Sequence, residues 1–151
     1  MLTAMLLVVY GSVVIGAAVS DAMTLRIPNA FPLVLVGLFG IQAFVIGMPL
    51  DAVLWHILVG FVVLLAGMGL FAWNVIGGGD AKLAAAVFLW FGISLFIPLL
   101  LLISLSGLVV AVMIYVLHTK GLLQRGSMLP YGVAIAGGWL LLTFLPYVIV
   151  P

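Results

Sequence analysis

The sequence predicts an all-α integral membrane protein that crosses the bilayer about six times. Of its 151 residues, 68% are hydrophobic and only 5% are charged, and the mean hydropathy is +1.60. A soluble domain would carry about 25% charged residues. No polar stretch is long enough to form a separate soluble unit, so we expect a single membrane-embedded domain over residues 1–151.

The apolar runs are separated by short polar breaks that contain glycine or proline. A helix needs about 20 apolar residues to cross a bilayer, and runs near that length recur along the chain. The fourth run is short, and its separation from the fifth depends mainly on Gly92 and Pro98. The first run lacks the basic flank of a cleavable signal peptide. The predicted spans are Leu2–Ser20, Pro28–Ile46, Ala52–Trp73, Ala81–Phe96, Pro98–Leu117 and Pro130–Val150.

The basic residues predict the orientation of these spans. Arg26 lies in the first loop, Lys82 lies at the third loop, and Lys120 and Arg125 lie in the fifth. With six spans, the odd-numbered loops share one side of the membrane, and the positive-inside rule makes that side cytoplasmic. Both termini are then expected outside. Asp51 lies in the second loop, so it is expected on the opposite face from the basic residues.

Composition also excludes several kinds of site. The chain has no cysteine, which excludes disulfides, thiol catalysis and cysteine-ligated zinc. Its two histidines, His56 and His118, lie far apart without metal-ligand spacing, which argues against a metal centre. The net charge of +1 provides no basic face for nucleic acid. We therefore expect neither a metal nor a nucleic-acid partner.

Only three acidic residues occur, and two of them lie in breaks on the predicted cytoplasmic side: Asp21 and Asp80. An ionisable residue in so apolar a chain is costly and therefore points to function. When two carboxylates lie close together, one holds a proton while the other activates water. The run Gly77-Gly78-Gly79 before Asp80 carries no side chains, which allows the backbone or a substrate strand to come near. The sequence therefore predicts hydrolysis by an aspartate pair.

Each acid also has a purely structural interpretation. Asp80 could cap a helix, because aspartate accepts hydrogen bonds from free N–H groups at a helix start. Asp21 is expected at a helix C-terminus, where the helix dipole opposes a negative charge, so a structural reason for it is weak. The same dipoles predict that Asp80 is ionised and that Asp21 holds the shared proton.

Three short elements resemble a known family. Gly77-Gly78-Gly79-Asp80 fits the GxGD signature of membrane-embedded aspartic proteases, and Lys82 follows it as in prepilin peptidases. Asp21, followed by Arg26-Ile27-Pro28-Asn29, is similar to that family's first catalytic aspartate and its Ile-Pro-Asn element. The segment that begins Pro130-Tyr131-Gly132 is similar to the family's C-terminal Pro-aromatic-Gly segment. The chain resembles a type IV prepilin peptidase of the small kind associated with Flp/Tad-type pili.

The resemblance implies an aspartic endopeptidase that needs no cofactor and removes the leader peptide of a prepilin at the cytoplasmic face of the bacterial inner membrane. The implied partners are the prepilin, the lipid bilayer and the pilus-assembly machinery. Larger family members carry a cysteine-rich cytoplasmic region linked to N-methylation; this chain has no cysteine, so no methyltransferase activity is expected. The implied catalytic residues are Asp21 and Asp80, supported by Gly77, Gly79, Lys82, Arg26, Pro28, Asn29, Pro130, Tyr131 and Gly132.

Two alternatives stay open at this point. One is another GxGD membrane peptidase, related to preflagellin peptidases or signal-peptide peptidases. The Ile-Pro-Asn and Pro-Tyr-Gly elements favour a prepilin peptidase over these. The other is a small transporter or channel that passes protons or cations along its acids. Transporters more often place such acids at the bilayer midplane within inverted repeats, whereas this sequence places them at helix ends and has no visible repeat.

Overall fold

The computed structural model describes residues 2–121 and 129–149 and contains six helices, with no strand in those two ranges. The predicted all-α, six-helix fold is confirmed. The fifth loop's Arg125 lies outside the described residues. The helices are α1 (Leu2–Thr24), α2 (Ala30–Val45), α3 (Leu50–Ala72), α4 (Gly78–Phe91), α5 (Phe96–Thr119) and α6 (Tyr131–Ile149).

Several helix ends differ from the prediction. α1 continues beyond Ser20 to Thr24, so Asp21 lies in its last turn instead of in a loop. α4 begins at Gly78, within the glycine run, and ends before Gly92, whose φ of 65° suits a residue without a side chain. Pro98 lies inside the first turn of α5, where a missing N–H breaks no helical hydrogen bond. The break between α4 and α5 therefore begins at Gly92 and ends before Pro98.

By length and composition, three helices among the described residues can each cross a membrane: α1 over Met5–Thr24, α3 and α5. α2 and the described part of α6 are shorter apolar helices, and α4 has only 14 residues. Large apolar side chains point outward along α3 and α5, including Phe61, Leu65 and Leu101. Such a continuous apolar exterior would be unusual in a soluble monomer and suits contact with lipid.

α4 is the central helix of the bundle. It is buried along most of its length and packs against α3 over a long contact, with α2 and α6 on its other sides. α1 packs against α2 and α6, whereas α5 packs mainly against α6. Near the middle of the core, the Tyr10 ring lies against Trp90, with 4.1 Å between ring centroids, and Gly11 lies directly against the ring of Trp139.

The two ends of the bundle have different chemistry. At one end, the loop after α1 meets the glycine run before α4 and the start of α6. At the other end, the His56 ring nitrogen Nδ1 lies 2.8 Å from the Leu89 carbonyl oxygen, and the same ring packs against Gly92. Asp51 is exposed in the first turn of α3, at the far end of that helix from the glycine run. The structure thus separates Asp51 from Asp21 and Asp80.

Candidate active site

The C-terminal end of α1 turns the chain sharply after Asp21. Leu25 adopts a left-handed conformation with φ of 53°, a conformation that costs an L-residue about 1–2 kcal/mol. The hydroxyl groups of Ser20 and Thr24 donate hydrogen bonds to the Arg26 carbonyl oxygen at 2.9 and 3.3 Å, which hold the turn. The chain therefore folds back on itself and places Ile27, a buried residue, against the glycine run of the third loop.

The Asp21 carboxylate is held by a helix that is distant in sequence. Asp21 is only 4% exposed, and its Oδ2 accepts a hydrogen bond of 2.7 Å from the backbone N–H of Gly132. Gly132 is the second residue of α6, where N–H groups have no partner within the helix. A Cβ at Gly132 would lie 3.0 Å from Asp21 Cβ, Asp21 Oδ2 and Ile27 Cδ1. The absence of a side chain at this position therefore allows the contact.

Asp80 is the third residue of α4 and is 9% exposed. Its Oδ2 accepts a 3.0 Å hydrogen bond from the N–H of Gly77, the N-cap residue, so the carboxylate does satisfy the helix start. Its Oδ1 is buried and has no protein partner. The capping interpretation thus accounts for only one of the two carboxylate oxygens.

The three glycines before Asp80 differ in what surrounds them. A Cβ at Gly77 would lie 2.7 Å from Asp80 Oδ2, and a Cβ at Gly79 would lie 3.0 Å from both the Cβ and the carbonyl oxygen of Ile27. At Gly78 the nearest neighbour would be the Phe71 ring at 3.5 Å, an ordinary van der Waals contact. The first and third glycines are thus sterically constrained, and the second is not.

The remaining polar residues predicted for the site lie around its edge. Lys82 Nζ donates a 2.9 Å hydrogen bond to Asn29 Oδ1, which ties α4 to the start of α2. No hydrogen bond joins Lys82 to Asp80 among the described residues, so Lys82 binds the start of α2 and not the carboxylate. Arg26, Pro28 and Asn29 are exposed and line the same cavity as the two acids.

Asp21 and Asp80 line one cavity of about 420 Å³, whose walls are the loop after α1 and the glycine run. Asp80 lies at the start of α4, outside the three segments long enough to cross a membrane. Burial raises the pKa of its carboxyl to about 6, the nearby Asp21 carboxylate raises it as well, and the Gly77 N–H lowers it. A carboxyl group so placed retains its proton well above the ordinary range of aspartate.

The prediction that Asp21 holds the shared proton rested on the dipole of α1 alone. In the structure the Asp21 carboxylate also faces the N-terminus of α6, through Gly132. Both carboxylates therefore lie at helix N-termini, and the dipoles no longer favour a proton on Asp21 over one on Asp80. The sequence did not reveal this partner because Gly132 is 111 positions away along the chain.

The sequence profile of the type IV leader peptidase family matches residues 8–112, which is more than half of the chain. The chain belongs to the type IV leader peptidase family. The matched region includes Asp21, the Ile27-Pro28-Asn29 element and Asp80, and it ends before Pro130. Comparisons with curated proteins and with solved structures found no match. The family match indicates that this leader peptidase relative is a peptidase, and its apolar helices indicate a membrane protein.

Sequence reasoning assigned no role to Ile27, yet this residue of the leader peptidase relative lies against two glycines that leave no room for a side chain, Gly79 and Gly132. A signal was present, because Ile27 is an apolar residue in a polar break. The left-handed conformation of Leu25 could not be predicted from the sequence, since residues with this conformation are usually glycine or asparagine. Tyr131, a predicted supporting residue, lines a second cavity together with Asp80, and it directly precedes Gly132, whose N–H binds Asp21.

Proposed function

We propose that this protein is a single-domain aspartic endopeptidase that removes the leader peptide of type IV prepilins of the Flp/Tad kind. The observation that carries the proposal is that Asp21 and Asp80 line one cavity, each oriented by a backbone N–H from the start of a helix. The family match and the buried position of both acids support it. A transporter is disfavoured, because the acids flank one cavity at one end of the bundle.

In the proposed mechanism, Asp80 holds the proton and Asp21 is ionised, with a water molecule bound between them. Asp21 takes a proton from the water as the water oxygen attacks the scissile carbonyl carbon, and Asp80 donates its proton to the carbonyl oxygen. The tetrahedral intermediate then collapses: the C–N bond breaks, Asp21 gives its proton to the leaving amine, and Asp80 recovers a proton from the hydroxyl group. Burial and the nearby Asp21 carboxylate, which both raise the pKa of Asp80, support its role as the proton donor.

The test of this function is co-expression with a candidate prepilin, scored by loss of the leader on a gel. We expect the wild-type chain to shorten the prepilin and to leave a preflagellin intact. Shortening of the preflagellin alone would favour the alternative GxGD peptidase. An intact prepilin, with the peptidase shown to be inserted in the membrane, would contradict the proposal.

The orientation of the chain leads to a further prediction. The described basic residues in or next to the odd-numbered loops, Arg26, Lys82 and Lys120, favour a cytoplasmic position for the acids and the inner membrane as location. Because the chain has no cysteine, single cysteines can be introduced and labelled with a membrane-impermeant reagent. We expect a cysteine at Pro49 to be labelled from outside the intact cell and one at Asn74 to be protected. The reverse pattern would contradict the orientation.

The proposed proton on Asp80 predicts the pH dependence. Because the pKa of Asp80 is raised to about 6, the active protonated form is lost as the pH rises through that value, whereas an ordinary aspartate would lose it near pH 4. We expect kcat/KM to be bell-shaped, with its alkaline limb beginning near pH 6 and its acid limb reflecting protonation of Asp21; the two constants belong to the pair. The measurement uses purified enzyme in detergent with a prepilin. A constant rate between pH 5 and 8 would contradict the assignment.

A further inference from the structure

Asp80 lies on the boundary between two cavities of different character. One is the polar cavity that it shares with Asp21. The other is an apolar groove of about 420 Å³, walled by α3, α4, α5 and α6, which we call the α3–α5 groove. Its lining includes Leu70, Asp80, Ile103, Gly107, Val110 and Ala134. Asp80 is the only acidic residue among the described residues that line the groove, and it also lines the polar cavity.

The walls of the α3–α5 groove follow single helix faces. On α5, Ile103, Gly107 and Val110 are spaced by four and three residues, which places them on one face. On α6, Tyr131 and Ala134 are spaced by three. A Cβ at Gly107 would contact only the Ala134 Cβ, at 3.6 Å, so no large side chain covers the groove at this point. Small residues of this kind let a membrane helix approach closely.

The protein's own helices leave the α3–α5 groove open on one side. α5 packs mainly against α6 and contacts α4 only slightly, and the two long helices α3 and α5 do not pack along their lengths. The groove therefore opens between α3 and α5, in the direction of the surrounding lipid. An apolar segment can enter it sideways from the bilayer without passing through water.

We propose that the α3–α5 groove binds the apolar helix of the substrate, while the polar leader occupies the cavity next to Asp21. This inference rests on the proposed function, because it assumes a substrate in which a polar leader precedes an apolar helix. The two cavities match those two chemistries, and they meet at Asp80. The peptide bond between leader and helix is thereby placed at the carboxyl group proposed to protonate its carbonyl oxygen.

A second groove is larger but lies in a less suitable place. It is about 850 Å³, lies between α2, α3 and α4, and has Lys82 and Asn29 in its lining. Neither carboxylate lines it. A substrate helix bound there would not bring its first residues directly to Asp80, so this groove serves as the competing site in the test.

The test is disulfide cross-linking in the Asp21→Asn background, which keeps the substrate uncleaved. The chain has no cysteine, so each variant carries a single one. Val110→Cys lies in the α3–α5 groove and Val110 is 8% exposed; Val109→Cys lies one position away, where Val109 is 61% exposed. Val36→Cys reports on the competing groove. The partner is a prepilin with one cysteine in the first two turns of its apolar helix.

We expect a cross-link to Val110→Cys at least tenfold stronger than to Val109→Cys. Equal cross-linking at the two positions, a stronger cross-link at Val36→Cys, or none at all would overturn the groove assignment, provided the wild type cleaves the prepilin. A wild type that leaves the prepilin intact would instead overturn the proposed function and this inference with it. The two failures are therefore distinguishable.

A kinetic measurement checks the same assignment without cross-links. Gly107→Leu fills the α3–α5 groove, and we expect it to lower kcat/KM for prepilin at least tenfold, mainly by raising KM. Gly40→Leu is the matched control, because a side chain at Gly40 would meet nothing within 4 Å. Equal kinetics for the two variants would contradict the proposed role of the groove.

Discussion

Replacing either Asp21 or Asp80 by asparagine is expected to abolish leader cleavage while the chain still inserts into the membrane. Asparagine has nearly the same shape and can still accept the hydrogen bond from Gly132 or Gly77, so the fold should persist. It cannot take the proton of the attacking water, nor supply an acidic proton to the carbonyl oxygen. General acid–base catalysis contributes about 10²- to 10⁴-fold to a rate, and we expect losses of at least that size. Loss of the leader from a co-expressed prepilin measures the effect.

Asp51→Asn is the matched control for both variants. Asp51 is exposed in the first turn of α3, at the end of the bundle away from the cavity. Its carboxylate interacts with the helix dipole alone, which contributes about 0.3–1 kcal/mol to stability. We expect cleavage to remain close to the wild-type rate. A loss equal to that of Asp21→Asn would show that the acids act generally on the fold and would contradict the assignment of a pair.

Gly79→Ala is expected to reduce leader cleavage at least a hundredfold, although the substitution adds a single methyl group. The new Cβ would lie 3.0 Å from both the Cβ and the carbonyl oxygen of Ile27, which is closer than van der Waals contact. Ile27 is buried and also packs against Gly132, the residue that holds Asp21. Relief of the clash therefore separates the two loops and moves the carboxylates apart. Small displacements in catalytic geometry cost large factors in rate.

The neighbouring position provides the control. In Gly78→Ala the new methyl group would meet only the Phe71 ring, at 3.5 Å, so we expect cleavage within a few-fold of the wild type. Membrane insertion of both variants is checked by fractionation and their thermal stability by unfolding in detergent. If Gly79→Ala cleaved as well as Gly78→Ala, the glycines would serve only as a flexible connection.

Local patterns were sufficient to predict the helices and to locate Asp21 and Asp80. The six apolar runs, the GxGD signature and the alternation of basic loops are all encoded within short stretches of chain. Helix ends were harder to predict. α1 continues through Asp21 to a left-handed Leu25, a conformation that no local sequence rule favours for leucine. Proline disfavours a helix interior, which predicts a break at Pro98, yet Pro98 lies in the first turn of α5, a position that tolerates proline.

The contacts that orient the carboxylates were beyond sequence reasoning. The bond from Gly132 to Asp21 joins the first helix to the sixth, and the contact of Ile27 with Gly79 joins the loop after α1 to the start of α4. Such pairs depend on how helices pack and not on the spacing of residues along the chain. The Pro-Tyr-Gly element can be identified from its resemblance to the family. The physical reason for its glycine is that the Gly132 N–H binds Asp21 where a side chain would not fit, and this contact is visible only in the structure.

The bond between Gly132 and Asp21 also has a consequence for biogenesis. The ribosome delivers α1 to the membrane before α6, so the Asp21 carboxylate lacks its partner until α6 has been synthesised. A nascent chain that has inserted α1 to α4 already contains both acids, yet Asp21 lacks the N–H that holds it in place. The site of this peptidase therefore gains the N–H group that orients Asp21 only after α6 has packed against α1.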